Sequence, residues 1–146
     1  MKLMISTLFL ICSTTAVSAC VCEAGWTKAG NTKCFIFSSG SLSQHQHCSS
    51  SRLAMVESVE ENNVAQSLIP SSVHSAYLGF TDPDQMGFSK FTFPSGYHNW
   101  ANNEPSDVGG DPPDKEPCLE IYQTSGKWND VNCWDYKPAI CSKNCQ

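Results

Sequence analysis

Residues 118–133 read CLEIYQTSGKWNDVNC, and the interpretation of the whole chain starts from this stretch. Its first part, Leu119 to Tyr122, has the composition of a short strand. Its second part places the amide of Asn129 next to the carboxylate of Asp130. A bridge between the cysteines at its two ends could hold this Asn-Asp pair beside the segment that precedes it.

That preceding segment, residues 101–117, has neither helical nor strand periodicity and contains half of the prolines of the chain. A loop of this length inside a compact domain is usually functional or disordered. It lies between Trp100 and Cys118, and only Lys115 offsets its acids. Carboxylates this close repel one another unless a cation lies among them or they extend into water. The acids are Glu104, Asp107, Asp111, Asp114 and Glu116.

The loop and the Asn-Asp pair together predict an oxygen-rich cation site. Calcium takes roughly six to eight oxygen ligands, including carboxylates, amides and carbonyls, at flexible angles. An EF-hand is the other calcium motif to consider, since Asp82, Asp84 and Gly87 match its first, third and sixth positions. Phe93 occupies the twelfth position, where a bidentate Glu is needed, so the EF-hand is rejected.

Residues 1–19 have the features of a signal peptide. Lys2 precedes an apolar run from Leu3 to Ile11, and small residues up to Ala19 supply a cleavage site. A membrane anchor is the alternative, but the apolar run is too short to cross a bilayer. We therefore expect a secreted, extracellular protein without membrane insertion, with a single domain over residues 20–146.

Removal of the leader leaves eight of the nine cysteines, and 8 basic against 14 acidic residues, because Lys2 is lost. This negative balance disfavours nucleic acid as a partner.

In an oxidising compartment, disulfides are the expected state of the cysteines. A zinc site is the alternative, but Cys20 and Cys22 are too close together for a zinc knuckle, and no His pair follows at finger spacing.

Two short helices and several short strands are predicted. Ser41 to Gln44 and Ser58 to Glu61 both have the form of a capping box. The first predicts a helix through Cys48 towards Arg52, and the second a helix that ends before Pro70. The fold class is therefore α+β, with helices set against antiparallel strands. The predicted strands are Cys34–Phe37, Ala54–Val56, Ala76–Phe80, Phe91–Phe93, Leu119–Tyr122 and Ala139–Cys141.

The chain resembles a C-type lectin domain over essentially all of residues 20–146. Several short motifs carry this resemblance together, and they are far more specific as a set than singly. The resemblance implies a C-type lectin-like fold and a carbohydrate-binding function. The motifs are Gly25-Trp26 after Cys22, the strand at 34–37, residues 77–80 followed by Thr81-Asp82, Asn99-Trp100, Glu104-Pro105-Ser106, the acid before Cys118, Trp128-Asn129-Asp130, and residues 138–141.

The resemblance also implies that one calcium ion binds the sugar, with two sugar hydroxyls completing its shell, and that Pro105 is cis. Ser106 departs from the family, whose mannose-type motif has Asn there and whose galactose-type motif has Gln and Asp around the proline. The Glu-Pro-Ser variant resembles small secreted invertebrate lectins associated with galactose. Galactose-containing glycans are therefore the expected partner, with mannose-type sugars the alternative. The implied ligands of calcium and sugar are Glu104, Ser106, Glu116, Asn129 and Asp130.

Three disulfides are implied by the same resemblance: Cys22 with Cys34, Cys48 with Cys141, and Cys118 with Cys133. Cys20 and Cys145 remain. They could bridge the two chain ends, or link a second subunit. We expect a homodimer, either linked by a disulfide through one of them or non-covalent, because two sites on one particle gain avidity.

Two features beside the main site stay open. A second calcium site is expected to be weak or empty, because Met86 and Pro117 replace two of its acids beside Asp82 and Asp107. Galactose sites normally stack the sugar on an aromatic ring. Trp134 and Tyr136 are the candidates for this ring, and packing residues are the alternative interpretation.

Two other functions are less compatible with the residues present. A domain of this fold that binds a protein in place of a sugar would lack calcium ligands, whereas four of the five positions here are standard. A hydrolase would need a general base near the ion. Every acid that can be placed there is already used as a ligand, so no catalytic residue is predicted and the chain is expected not to be an enzyme.

Overall fold

The computed structural model describes residues 19–43, 47–48, 50–81, 91–106 and 116–146. Residues 1–18 of the predicted signal peptide lie outside this part of the chain. The described residues form one helix and seven strands. These are β1 (Thr27–Ala29), β2 (Lys33–Leu42), β3 (Arg52–Leu53), α1 (Val59–Leu68), β4 (Ser75–Thr81), β5 (Cys118–Tyr122), β6 (Trp128–Val131) and β7 (Lys137–Asn144).

The strands form one sheet in the order β1-β2-β7-β4-β5-β6, and β3 pairs with β7. All pairings are antiparallel except β4 with β7, where Tyr77 lies opposite Ala139. The predicted α+β class is therefore confirmed. The β5–β6 hairpin forms one end of the sheet order, so the Asn129-Asp130 pair lies on its last strand.

Helix α1 confirms the capping box at residues 58–61. The Ser58 hydroxyl accepts a hydrogen bond from the Glu61 backbone N–H at 3.2 Å, which satisfies one of the free donors at the helix start. The helix ends at Leu68, two residues before Pro70. The buried Glu61 carboxylate also accepts from Lys33 Nζ at 3.0 Å, which fastens α1 to β2.

The prediction of a helix that begins at residues 41–44 was wrong for all of its residues that the structure describes. Ser41 and Leu42 belong to β2, and Arg52 belongs to β3. Leu42 pairs with Lys137 of β7, so long-range strand pairing outweighs the local capping signal. Residues 44–46 and 49 lie outside the described part of the chain.

Two predicted strands were also wrong. Residues 54–56 follow β3 as irregular backbone, although the Ala54 N–H still donates to the Ile140 carbonyl at 2.8 Å. Residues 91–93 also have irregular backbone, and the Phe91 and Phe93 rings pack in the core. The Phe93 ring lies 5.0 Å from that of Phe80 and 5.7 Å from that of Trp128.

Trp128 links the core to the last strand of the sheet. Its side chain is fully buried, and its indole N–H donates to Asn62 Oδ1 of α1 at 2.7 Å. A buried indole needs such a partner, and this one ties β6 to the helix. The position of the Asn129-Asp130 pair is therefore set by the residue directly before it. Other fully buried core residues are Phe35, Leu78, Leu119, Ile121 and Ile140.

The three implied disulfides are confirmed, since Cys22 bonds to Cys34, Cys48 to Cys141, and Cys118 to Cys133. Cys20 bonds to Cys145 within the same chain, with their Cα atoms 5.1 Å apart. The expectation of a dimer linked by a disulfide through Cys20 or Cys145 is therefore corrected. The chain ends meet because Val21 and Gln146 exchange two backbone hydrogen bonds, at 3.2 and 3.1 Å.

Among the residues that the structure describes, no helix combines the length and the apolar character needed to cross a membrane.

Candidate metal and ligand site

The segment that leads into residues 104–106 is fastened to β6. The Ala101 N–H donates to the Trp128 carbonyl at 2.8 Å, and the Trp128 N–H donates to the Asn99 carbonyl at 2.9 Å. Asn103 has a φ of 67°, a left-handed conformation that Asn tolerates better than most residues. The Glu104–Pro105 peptide bond is cis, as the resemblance implied.

Glu104, Ser106 and Asp130 are brought together by this arrangement. The Ser106 backbone N–H donates to Asp130 Oδ1 at 3.0 Å, and Asp130 is only 1% exposed. Burial raises the pKa of Glu104, hydrogen bonds with Ser106 lower it, and the neighbouring Asp130 raises it again. The two carboxylates therefore share a partly dry space in which both cannot carry charge without cost.

One oxygen of Glu104 decides whether a cation fits this space. The Oε2 atom is buried and accepts no hydrogen bond from the part of the chain that the structure describes. A buried carboxylate oxygen without a partner loses its hydration and gains no hydrogen bond, which costs free energy. A hard cation would supply the missing interaction, and carboxylate, amide and carbonyl oxygens are the ligands that calcium prefers. The donor set present therefore fits a calcium ion.

Glu116 lies two residues before β5, and its charge acts in the same region. Burial raises the pKa of Tyr122, and the charges of Glu120, Glu104, Glu116 and Asp130 raise it further, in that order. Four carboxylates therefore contribute negative charge that the Tyr122 hydroxyl senses, and charge interactions weaken with distance and screening. The sequence analysis predicted that Glu104, Glu116 and Asp130 act together, and Glu120 was not among its ligands.

Asn129 is oriented by a neighbour that the sequence analysis missed. Glu120 lies opposite Asn129 in the β5–β6 register, and its Oε1 atom accepts from Asn129 Nδ2 at 3.1 Å. Glu120 is 4% exposed, and its sequence context predicted only that it belongs to a strand. The available signal was a carboxylate between the apolar residues Leu119 and Ile121, because a charge in a buried strand needs a partner.

Trp134 and Tyr136 lie on the turn between β6 and β7. They are 65% and 72% exposed, so the alternative that they are buried packing residues does not hold. The turn is anchored by Tyr77, whose hydroxyl lies 2.8 Å from the Asn132 carbonyl and 2.9 Å from the Asp135 carbonyl. The predicted second calcium site falls largely on Asp82, Met86 and Asp107, which lie outside the described residues.

A family model described as "Lectin C-type domain" matches residues 43–143. The chain belongs to the C-type lectin domain family. This family is a carbohydrate-binding module without enzymatic activity, so the prediction that the chain is not an enzyme is confirmed.

Named relatives of this C-type lectin domain include two larger proteins. Collectin-43 of Bos taurus is 38% identical over 94 residues, which are 62% of this chain and 28% of that protein. Pulmonary surfactant-associated protein D of Sus scrofa is 36% identical over 94 residues, which are 62% of this chain and 24% of that protein. The chain spans about a quarter of the length of the curated relatives it matches.

A solved structure gives the same assignment. The cow C-type carbohydrate-recognition domain of CD23, crystallised in the presence of GlcNAc2Man3 oligosaccharide, superposes with a TM-score of 0.72 at 25% identity. The match covers 88% of this chain and 99% of that domain. The predicted C-type lectin-like fold is therefore confirmed.

Proposed function

We propose that this C-type lectin domain is a secreted, calcium-dependent lectin that binds terminal galactose and galactosides. The observation that carries the proposal is the buried Oε2 atom of Glu104, which has no hydrogen-bond partner among the described residues and lies beside the buried Asp130 carboxylate. We assign as ligands of both calcium and sugar the residues Glu104, Ser106, Glu116, Asn129 and Asp130.

Calcium would offer coordination positions to two neighbouring hydroxyls of a sugar. The protein's own contribution is to gather oxygen ligands from a loop and a strand that are distant in sequence. The hydrogen bond from Ser106 to Asp130 holds the two segments together, and the buried Trp128 holds the strand in place. Contacts within the protein that hold ligands in place lower the cost of ordering them on binding.

Two features support galactose as the ligand. Ser106 belongs to neither standard family motif, and the Glu-Pro-Ser variant resembles galactose-associated lectins. Trp134 and Tyr136 present exposed rings on the turn that follows β6. Aromatic rings pack well against the apolar face of a sugar such as galactose. Galactose-containing glycans on cells or glycoproteins are therefore the proposed partners.

A mannose-type sugar is the second candidate. It is favoured by the likeness to the CD23 domain, whose structure was determined in the presence of a mannose-containing oligosaccharide. The two candidates share the calcium site and differ in the sugar hydroxyls that reach it.

We also propose that the lectin acts as a non-covalent homodimer. A single shallow sugar site with millimolar affinity corresponds to only about 4 kcal/mol, so linked sites are needed for useful avidity. The eight cysteines from Cys20 onwards are all paired within the chain, which leaves packing of surfaces as the means of association.

The test is a glycan array probed with the oxidised protein, with calcium and with a chelator. Binding to galactosides that requires calcium and is inhibited by free galactose is the expected result. Inhibition by mannose and not by galactose would favour the second candidate. Calorimetry that detects no calcium uptake by the folded protein would overturn the proposal.

A further inference from the structure

Glu120 is a buried carboxylate that the proposed calcium site does not use as a ligand. Its Oε1 atom accepts from Asn129 Nδ2 at 3.1 Å. Its Oε2 atom accepts from Ser75 Oγ at 2.5 Å and is ion-paired with Lys137 Nζ at 3.1 Å. Ser75, Asn129 and Lys137 belong to β4, β6 and β7, so three strands hold this one carboxylate.

The chemistry of the contact fixes the orientation of the Asn129 amide. An ionised carboxylate can only accept hydrogen bonds, so it must face the amide nitrogen and not the amide oxygen. The planar amide carries its oxygen on the other edge. Calcium takes the oxygen of an Asn side chain as a ligand. If the amide turned over, its NH2 group would occupy the place of a ligand.

We infer that Glu120 is a positioning residue, which locks the Asn129 amide in the orientation that presents Oδ1 to the calcium ion. The inference rests on the proposed calcium site and deepens it. Partners that orient a metal ligand typically change metal affinity by roughly 10- to 100-fold when they are replaced. Glu120 thus acts on the ion through Asn129, without touching it.

The decisive variant is Glu120→Gln, which keeps the size of the side chain. Glutamine can donate a hydrogen bond to Asn129 Oδ1, so it removes the preference for one amide orientation. We expect calcium affinity, measured by calorimetry, to fall by roughly 10- to 100-fold.

Glu61→Gln is the matched control. Glu61 is also buried and is ion-paired with Lys33 at 3.0 Å, but it lies in α1, and its hydrogen bonds within the described residues involve none of the proposed ligands. We expect this variant to lower stability to a similar degree and to leave calcium affinity within about threefold of the wild type. Equal losses of affinity in both variants would mean a general effect of stability and would overturn the inference. An unchanged affinity in Glu120→Gln would overturn it as well.

A measurement on the metal-free protein keeps the inference testable if Glu120→Gln fails to fold. In the presence of a chelator, the side-chain amide protons of Asn129 in the wild type should exchange slowly and give a shifted NMR signal, because one of them is held by Glu120. An Asn129 side-chain signal with the shift and exchange of a solvated amide would overturn the inference. If the wild-type protein takes up no calcium but keeps this protected signal, the proposed calcium site is overturned. Glu120 would then orient the Asn129 amide without any effect on a metal ion.

Discussion

The backbone N–H of Ser106 donates to Asp130 Oδ1 at 3.0 Å, across twenty-four positions of the chain. This bond joins the segment that contains Glu104 and Ser106 to β6. One oxygen of Asp130 is thereby engaged by the backbone, and a buried oxygen of Glu104 beside it has no hydrogen-bond partner in the described residues. The two halves of the proposed calcium site are therefore already in contact, and the site differs from a set of independent acids on a surface.

The substitution Asp130→Asn should remove the charge of this side chain and keep the hydrogen bond that it accepts. The introduced amide keeps an oxygen that can accept from the Ser106 N–H, so the fold should persist. The loss of one carboxylate should lower calcium affinity at least about tenfold, because the number of charged ligands sets the strength of such sites. Calorimetry measures this effect. Asp135→Asn, in the exposed turn before β7, is the control and should bind calcium as the wild type does.

Glu104 should make the metal-free protein sensitive to pH. Burial, and then the neighbouring Asp130, raise the pKa of Glu104 in the folded state. Between its ordinary pKa and this raised value, the folded state binds more protons than the unfolded state, so stability falls as pH rises through that window. Thermal melts with a chelator should show this fall, and Glu104→Gln should flatten it. An equally steep profile in the variant would contradict the assignment to Glu104.

Calcium binding should show the opposite dependence on pH. A ligand must be ionised to bind the metal, so calcium affinity should weaken as pH falls through the raised pKa of Glu104. Glu104→Gln should weaken calcium binding at all pH values while it stabilises the metal-free fold at neutral pH. Titrations at several pH values check both effects, and a rise in calcium affinity on acidification would refute this account.

Removal of calcium should lower the melting temperature. At about 100 times its dissociation constant, a ligand that binds only the folded state stabilises it by about 2.7 kcal/mol. For a domain of this size, that corresponds to about 10 °C. Calorimetric melts with calcium and with a chelator measure the difference. Magnesium at the same concentration is the control, since it demands octahedral geometry and gives up its water reluctantly.

Trp134→Ala and Tyr136→Ala should weaken sugar binding without unfolding the protein. Both side chains are exposed, so their truncation should change the free energy of unfolding by less than about 0.5 kcal/mol. If one ring stacks on galactose, its loss should lower affinity by about 3- to 10-fold. Val59→Ala is the control, since Val59 is an exposed apolar residue at the start of α1. Unchanged galactose binding in both aromatic variants would remove these rings from the site.

Electrophoresis without reductant should give a band of monomer size. Cys20 and Cys145 are bonded to each other, so neither thiol is available for a second chain. Light scattering under the same conditions should nevertheless report the mass of the proposed non-covalent dimer. A band of dimer size that disappears on reduction would contradict the pairing within the chain.

Local signals predicted α1 correctly but failed at a motif of the same kind. The capping boxes at residues 41–44 and 58–61 have the same form, yet only the second begins a helix in the described residues. Ser58 caps its helix through a bond from the Glu61 backbone N–H, only three residues away. Leu42 pairs with Lys137, ninety-five positions away, and no local pattern encodes that pairing.

Through its resemblance to the C-type lectin domain, the sequence by itself predicted the fold family, three of the disulfides and the proposed ligands, because short motifs of residue type and spacing carry that resemblance. The tertiary structure decided the rest. Cys20 bonds to Cys145 because β1, β2 and β7 bring the two chain ends together. The spacing of the cysteines in the sequence does not predict this disulfide. Glu120 orients Asn129 because β5 and β6 place them opposite each other and neighbouring strands enclose the pair. Hydrogen bonds of this kind depend on which side chains face one another, and that is set only when the sheet is assembled.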